Sequence, residues 1–448
     1  MGLYSRDWWI ILVLCLAFTA CGTTEPFVPQ PPGPTAQAIP KPPPIDFSQR
    51  TPLPYKMTIA ILPLENLTKK DDLAWLSAGI PESLISKLQN IRSLRMVERM
   101  RIKNLVEELK LSESGLIEPG AAQKAGRLLG ADTVLIGSFV EFQGTVQINC
   151  RLVRVETGTV IHAVDSTGLL NRIFQLQDRL AEKLVATLGV RMETDEAHRL
   201  AVQETNSLTA YENYVRGRDH YFQFNRPGYE EAARLYREAV RLDPGFALAH
   251  AGMADTLATL GFSRKKEGEA YESLFREARE AAKKAIALNP NLSDGHRALA
   301  HVYNNDGSGR IADAAREAQQ ALTLNPNDAE AWYLLAQTYT YYDTRDLDRA
   351  QIYYENAIQL NPDYAMAYNS LGWFVYLEKK WYDKAVEAFE RAIQISPNFT
   401  EAYDSLGEAY FRMGKYPEAA RNFRKALELQ PSHKHAARRL KEAEKAIR

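Results

Sequence analysis

The regular spacing of six prolines constrains what this chain can fold into. Pro431, Pro397, Pro362, Pro326, Pro290 and Pro244 follow one another at steps of 34, 35, 36, 36 and 46 residues. Each closes a segment that carries two apolar stripes at helical spacing, and proline cannot continue a helix. The sequence therefore predicts an internal repeat of a two-helix unit, with copies covering about half of the 448 residues.

The sixth copy, residues 400–431, shows the pattern most clearly, with two helical stripes separated by a Gly-Lys turn. Its pattern residues are Tyr403, Leu406, Gly407, Tyr410, Ala419, Phe423, Ala426 and Pro431. The fifth and fourth copies match it closely. The third has Ala318 where an aromatic residue is usual, the second has about a dozen extra residues around 264–271, and the first diverges at its start.

This period and pattern resemble the tetratricopeptide repeat (TPR) family, whose paired antiparallel helices stack into a solenoid. The resemblance implies an all-α TPR solenoid of six repeats over residues 208–431. Small residues such as Gly407 and Ala419 would let helix backbones approach, while large ones fill the groove between repeats. Residues 432–448 carry one apolar face and are predicted to form a C-terminal capping helix.

Charge and cysteine content exclude some classes of protein. Lysine plus arginine number 55 against 56 aspartates plus glutamates, a net charge of -1, so no nucleic-acid surface is predicted. Three cysteines, Cys15, Cys21 and Cys150, cannot form a disulfide framework. Cys150 alternates with polar residues on the apolar face of a predicted strand, which indicates a buried hydrophobic residue and not a catalytic thiol.

The N-terminus has the layout of a secretory signal. Arg6 precedes an apolar run from Trp8 to Phe18, which is too short to span a bilayer and ends in small residues. The sequence Phe18-Thr-Ala-Cys21 resembles the lipobox of bacterial lipoproteins, which implies a signal peptide over 1–20 and lipidation of Cys21. The alternative is an ordinary signal peptide with a chance cysteine. Gly22 follows the cysteine, and the resemblance then implies an outer-membrane anchor facing the periplasm.

Residues 21–56 are rich in proline and are predicted to be an inert extended tether. The pattern changes at Met57, where apolar runs and helical stripes begin to alternate. Strands are predicted within 58–67, 94–97, 133–140, 145–155 and 159–166, and helices over 73–88, 100–111, 121–129 and 171–188. This order predicts an α+β domain over 57–190, followed by a linker over 191–207.

Ordered short motifs in this domain resemble the CsgG (curli secretion channel) and TolB-like N-terminal domains of bacterial envelope proteins. They include Val97-Glu98-Arg99, Glu107-Glu108, 112–115, 128–132, 136–138 and 155–158. The fold class expected is therefore multidomain, an α+β CsgG/TolB-like domain followed by an all-α TPR solenoid. Channel members insert long amphipathic hairpins, and no extra segments of that kind occur here. The resemblance instead implies partner binding or homo-oligomerisation through the sheet.

No catalytic or metal-binding constellation stands out, so no enzyme activity, cofactor or metal is expected. Glu98-Arg99 and Glu107-Glu108 are interpreted as solvated charges or local ion pairs. His433 and His435 lack a nearby third metal ligand. Residues 304–309 lack the later glutamate of a calcium loop and are interpreted as a turn.

The resemblance to TPR proteins places positions 2, 5, 9 and 12 of each first helix on the inner surface. These positions predict a peptide-binding groove formed by Tyr211, Tyr214, Arg218, Tyr221, Tyr333, Gln337, Asn369, Trp373, Tyr376, Asp404, Glu408 and Phe411. Aromatic residues beside amides and carboxylates can hold an extended peptide through apolar contact and main-chain hydrogen bonds. Equally, these aromatics can pack on neighbouring helices or on the middle domain.

The function expected is a non-catalytic, lipid-anchored envelope scaffold that binds a protein partner through the TPR groove. A second possibility is a subunit or adaptor of an oligomeric secretion channel like CsgG. A third is a regulatory protein whose middle domain senses a small ligand. Neither the partner, the pathway nor the oligomeric state follows from the sequence.

Overall fold

The computed structural model describes residues 57–68, 70–108, 118–223, 225–341 and 345–448, with only the backbone at residues 100, 107 and 108. The predicted signal peptide, Cys21 and the tether lie outside these residues. The same is true of the motif at 112–115 and of the Glu107 and Glu108 side chains.

The N-terminal domain is built on a mixed sheet in the order β3-β1-β4-β5-β6, with β2 also paired to β4. The strands are β1 (Met57–Ile61), β2 (Glu65–Asn66), β3 (Leu94–Met96), β4 (Thr133–Phe142), β5 (Thr145–Arg154) and β6 (Val160–Leu169). Strand β1 pairs in parallel with β3 and β4, whereas β4, β5 and β6 form an antiparallel meander. Gln143 and Gly144 join β4 to β5 with φ of 49° and 78°, as a tight hairpin turn requires.

Helices cover both faces of this sheet. They are α1 (Leu76–Leu88), α2 (Arg99–Glu108), α3 (Pro119–Leu129) and α4 (Ile173–Thr187). Helices α1 and α4 pack on the face that carries Leu135, Ile148 and Cys150, and α2 and α3 pack on the face that carries Val134 and Val153. Gly130 ends α3 with φ of 64°, as its position after the last apolar residue indicates.

The predicted linker contains a short ordered helix, α5 (Thr194–Leu200). The Glu196 carboxylate accepts a hydrogen bond from the Arg92 main-chain nitrogen at 2.9 Å. The Lys87 ammonium donates to the main-chain oxygens of Leu200 and Val202 at 3.1 and 3.0 Å. These contacts fix the segment against α1 and the turn that follows it in the N-terminal domain.

Twelve helices follow in antiparallel pairs and one more closes the chain, within the described residues. The pairs are α6 (Leu208–Tyr221) with α7 (Arg226–Leu242), α8 (Ala247–Glu267) with α9 (Glu272–Leu288), α10 (Ser293–Asn305) with α11 (Ile311–Leu324), α12 (Ala329–Thr338) with α13 (Leu347–Leu360), α14 (Ala365–Leu371) with α15 (Tyr382–Ile395), and α16 (Thr400–Arg412) with α17 (Tyr416–Leu429). The last helix is α18 (Lys434–Ile447). The predicted fold class, an α+β domain followed by an all-α solenoid, is confirmed.

The irregular repeat lengths have local structural causes. The extra residues of the second repeat lengthen α8 to 21 residues, and Gly268 ends it with φ of 77°. In the fifth repeat α14 continues as a π-helical turn over Gly372–Tyr376, and Lys380 follows with φ of 62°. A π-turn absorbs one extra residue without breaking a helix, which accounts for a step of 35 residues where the sixth repeat has 34.

Among the residues that the structure describes, none of the helices combines the length and apolar character needed to cross a membrane.

Candidate functional site

The first turns of repeat one pack directly against the N-terminal domain. The Tyr211 hydroxyl donates a hydrogen bond to the main-chain oxygen of Gly79 at 2.8 Å. Its ring lies edge-on to those of Trp75 and Phe174, with centroids 6.0 and 5.3 Å away, and stacks on Tyr214. Both tyrosines are buried. The inner surface of repeat one is therefore part of the interface between the two domains.

An ion-pair network extends this interface along α6. Glu82 of α1 is buried and lies 2.9 Å from the Arg218 guanidinium and 3.0 Å from that of Arg99. Arg99 also pairs with Asp219. Burial alone would raise the pKa of Glu82, but the guanidinium groups of Arg218 and Arg99 outweigh it and hold this pKa below its ordinary value.

Tyr221, the last predicted groove residue of repeat one, is half-buried beside Phe222 and Tyr229. The sequence predicts a solvated charge or a local ion pair at Arg99. In the structure Arg99 instead pairs with Glu82 and Asp219, which are distant in the sequence, and links the two domains.

The N-terminal domain also contacts the turns between later repeats. The Arg95 guanidinium donates to the main-chain oxygen of Leu360 at 2.6 Å. The Asn327 amide donates to the main-chain oxygens of Arg92 and Leu94, and Arg101 pairs with Asp363 at 2.7 Å. Asn327 and Asp363 belong to the Asn-Pro turns that close repeats three and four. The segment 92–101 therefore lies along the edge formed by successive inter-repeat turns.

A cluster around Arg297 occupies the inner face of repeats two to four. Its guanidinium lies 3.1 Å from Asp255, 3.0 Å from Asp294 and 3.4 Å from Asp328, and it also pairs with Glu330. Burial is the main cause that raises the pKa of Asp328 to about 7; the nearby Arg297 charge opposes it.

The sequence prediction omitted this cluster. The signal was present, since Asp294, Arg297 and His301 stand at positions 2, 5 and 9 of repeat three, and Asp255 at position 9 of repeat two. Asp255, His301 and Glu330 each place one possible metal-ligand atom within 4.8 Å of the others. The Arg297 guanidinium already pairs with both carboxylates of this set, Asp255 and Glu330, and supplies the cationic charge there.

Repeats four and five bring together the next group of predicted residues. Gln337 donates to the Tyr333 hydroxyl at 3.0 Å, and that hydroxyl lies 3.3 Å from the hydroxyl of Ser370. Trp373 is half-buried, with its ring centroid 6.0 Å from that of His435. Tyr376 packs beside Trp381.

Asn369 has an unfilled hydrogen-bonding position in this group. Its side-chain oxygen is buried and accepts no hydrogen bond within the part of the chain that the structure describes.

In repeat six the inner positions contact the closing helix. Asp404 lies 2.7 Å from the His435 ring. Glu408 lies 2.6 Å from the Arg439 guanidinium. The same guanidinium lies 3.7 Å above the centre of the Phe411 ring. His433 accepts a hydrogen bond from the Ala436 main-chain nitrogen and so caps α18. The two histidines thus hold the closing helix in place.

The twelve predicted groove residues therefore fall into three groups. Those of repeat one face the N-terminal domain, those of repeat six face α18, and those of repeats four and five lie between. Contact of these residues with a peptide stays a prediction.

Comparison with known families agrees with this architecture. The family described as "Curli production assembly/transport component CsgG" matches residues 43–146. TPR families match residues 317–352, 353–387, 375–414 and 400–433. The chain thus joins a CsgG-like domain to a TPR region, as the sequence motifs indicated, and TPR repeats define the class as a protein-interaction scaffold.

One curated relative is described as "Putative adenylate cyclase 3" of Rhizobium meliloti (strain 1021). It is 27% identical over 263 residues, which make up 58% of this chain and 42% of the relative. The chain therefore spans less than half of that relative's length.

Several solved TPR structures are similar. The Cut9–Hcn1 complex is 21% identical, with 52% of this chain and 43% of that chain covered and a TM-score of 0.44. MamA is 32% identical, with 38% and 95% covered and a TM-score of 0.31. YrrB, described as a TPR protein with an unusual peptide-binding site, is 19% identical, with 46% and 97% covered and a TM-score of 0.32.

Proposed function

We propose that this protein is a non-catalytic scaffold, anchored through a lipidated Cys21 at the periplasmic face of the outer membrane, that recruits a protein partner. The TPR region supports partner recruitment, and the signal-like leader with its lipobox-like sequence supports the anchor. The proline-rich tether would hold the folded domains away from the membrane surface.

The observation that carries this proposal is the inner face of repeat five. On this face Met366, at position 2, is 47% exposed and Trp373, at position 9, is half-buried; Phe374, next to Trp373 in sequence, is 39% exposed. The unfilled side-chain oxygen of Asn369 lies on the same helix. Exposed apolar side chains suit an extended peptide, and its main-chain N–H groups are donors for the Asn369 oxygen once that side chain turns towards the surface.

Two variants test this surface. Met366→Ala and Asn369→Ala are expected to weaken binding of the native envelope partner at least several-fold, because one removes apolar contact and the other removes the acceptor. The partner is first identified by cross-linking in cells, and its affinity for purified chains is then measured. Phe142→Ala is the matched control, since Phe142 is 71% exposed on the N-terminal domain. If all three variants and the wild type bind the partner with equal affinity, this surface of repeat five does not bind it.

The anchor has a separate test. Cys21→Ser is expected to release the protein from the membrane fraction, because lipid chains contribute roughly 0.8 kcal/mol per buried CH₂ and several chains give stable anchoring. Cys15→Ser, a change within the apolar run, is the control and should leave fractionation unchanged. Membrane retention of the Cys21→Ser protein would rule out this anchor.

The CsgG-like domain favours a second candidate, a subunit or adaptor of an oligomeric secretion channel. Light scattering of the detergent-solubilised chain separates the two. A monomer or dimer supports the scaffold, whereas a ring-sized oligomer supports the channel. The relative named as a cyclase motivates one further assay: purified chain with ATP and Mg²⁺ is expected to form no cyclic AMP.

A further inference from the structure

A cavity of about 140 Å³ lies between the N-terminal domain and the inner face of repeats one to four. Its wall includes Glu82, Glu98 and Arg99 from the N-terminal domain and residues of α6, α8, α10 and the turn before α12 from the solenoid. A single water needs roughly 10–15 Å³ of cavity volume, so this cavity has room for about ten non-hydrogen atoms. It is therefore large enough for a small molecule.

The charges on the wall do not balance. Six carboxyl groups line the cavity against three guanidinium groups. The excess of acids is reflected in raised pKa values, about 7 for Asp328 and above its ordinary value for Glu98, with burial as the main cause of each shift. Arg99 and Arg218 share Glu82, and the four carboxyl groups of the solenoid surround Arg297, with Asp255 also 3.3 Å from the His301 ring. Glu98 forms no ion pair with another described residue, and burial, together with the nearby Glu330 carboxylate, raises its pKa against the weaker effect of Arg297. The cavity therefore favours a positively charged occupant.

Two hydrogen-bonding groups on the wall are also unfilled. Asn325 is 5% exposed; its side-chain oxygen accepts from the Asn327 main-chain nitrogen, but within the described chain its side-chain nitrogen donates to no acceptor. The side-chain oxygen of Asn327 is buried and accepts no hydrogen bond from any described residue. Buried polar groups normally have partners. These two amides point to a polar occupant, independently of the charge imbalance.

Aromatic rings complete the wall. Tyr214, Tyr221, Phe222 and Tyr236 all line the cavity. Aromatic faces attract organic cations through their quadrupole, most strongly where water is excluded. A hydrated metal ion gains nothing from such a wall, whereas an amine or guanidinium with a carbon chain uses both the rings and the carboxylates.

We propose that this cavity binds a small organic cation, an amine or guanidinium compound of about ten non-hydrogen atoms, whose charged group contacts Glu98. The occupant touches both domains, because Glu98 belongs to one and the Asn325–Asn327 turn to the other. Its binding stabilises the docked arrangement of the domains by mass action.

The test is isothermal titration calorimetry of the full chain in detergent with agmatine and spermidine as probes. Saturable binding to the wild type is expected. Glu98→Gln should weaken it at least tenfold, because it removes the carboxyl group that would carry the countercharge, while the control Glu156→Gln, at an exposed site, should bind as the wild type does.

Glu98→Lys is a second variant that places a tethered ammonium in the cavity. It is expected to raise Tm and to abolish probe binding. The proposal would be overturned if neither probe binds, or if Glu98→Gln binds the probes as tightly as the wild type. Saturable binding of Mg²⁺ or Ca²⁺ in place of the amines would also overturn it. No protein partner is present in this experiment, so its failure is distinct from a failure of the scaffold.

Discussion

The Arg439 guanidinium lies 2.6 Å from the Glu408 carboxylate, and only 2% of the Glu408 side chain is exposed. Glu408 stands at an inner position of repeat six, and Arg439 belongs to the closing helix α18. The helix therefore covers the last repeat where a further repeat would otherwise stack. A solenoid requires such a terminal element, because its final repeat lacks a neighbour on one side.

Arg439→Ala should loosen the closing helix. The change leaves the buried Glu408 with Arg412 as its remaining partner, at 2.8 Å. Removing one partner of a buried ion pair lowers the free energy of unfolding by roughly 3–5 kcal/mol. Because Glu408 keeps Arg412 as a partner, the loss expected here is about 3 kcal/mol. Hydrogen exchange is expected to show α18 losing protection before the rest of the chain. Arg448→Ala, at the exposed end of the same helix, should change nothing; equal protection in both variants would contradict this role.

Ala419→Leu should overpack the helix pair of repeat six. Ala419 is fully buried, and a Cβ added at Gly407 would lie 2.7 Å from the Phe423 ring, so the two helices leave no spare volume. Overpacking typically costs about 1–3 kcal/mol. A thermal melt is expected to show a lower Tm for Ala419→Leu but not for Ala446→Leu, which is exposed on α18. An unchanged Tm for Ala419→Leu would mean that the assigned register is wrong.

Glu204 should make stability depend on pH near neutrality. Burial is the main cause that raises its pKa from 4.5 to about 7; the Lys87 charge opposes it, and Asp294 adds to it. The folded state therefore binds more protons than the unfolded state between these two values, and the free energy of unfolding falls as pH rises through that window.

Glu204→Gln replaces the carboxyl group with an amide that does not titrate, so the pH dependence of stability that Glu204 causes is lost. The variant is expected to melt above the wild type at pH 8 and close to it at pH 5. Glu182→Gln, on the exposed face of α4, is the control. A Tm difference that stays constant from pH 5 to pH 8 would show that Glu204 does not titrate there.

Side chains of α4 contact main-chain oxygens of β6, one of the two end strands of the sheet. Lys183 donates to the main-chain oxygen of Asp165 at 2.5 Å, and Arg179 donates to that of Thr167 at 3.2 Å, both on edge strand β6. Unpaired edge groups are templates for pairing with another chain. The double variant Lys183→Ala, Arg179→Ala should therefore self-associate with rising concentration in sedimentation experiments.

The control for the edge strand is Lys124→Ala, Arg127→Ala, which removes two exposed cations from α3 at a distance from β6. If both double variants sediment alike, lost net charge and not the exposed edge explains any association.

The fold could be predicted from sequence because its determinants are local. Small residues such as Gly407 and Ala419 repeat at fixed positions, and Gly130 and Gly144 stand where a helix end and a hairpin need positive φ. The helix inside the predicted linker could not be predicted from sequence, because its order depends on Lys87 and Arg92, residues about a hundred positions earlier.

The candidate site was harder to predict for the same reason. Position within a repeat placed Tyr211 and Arg218 on the inner surface, but it could not show that Gly79 and Glu82 of another domain meet them there. The repeat pattern likewise places Glu408 on the inner surface, but it could not show that Arg439 covers this residue. Contacts between domains depend on docking geometry, which no periodic pattern encodes.

Photocross-linking in living cells tests the central claim most directly. A photoreactive amino acid replaces Met366 in one strain and Phe142 in another, and illuminated cells are analysed for adducts by mass spectrometry. The predicted result is one defined envelope protein joined to the chain through position 366 and absent at position 142. No adduct at position 366, or the same adducts at both positions, would contradict a scaffold that presents repeat five to a partner.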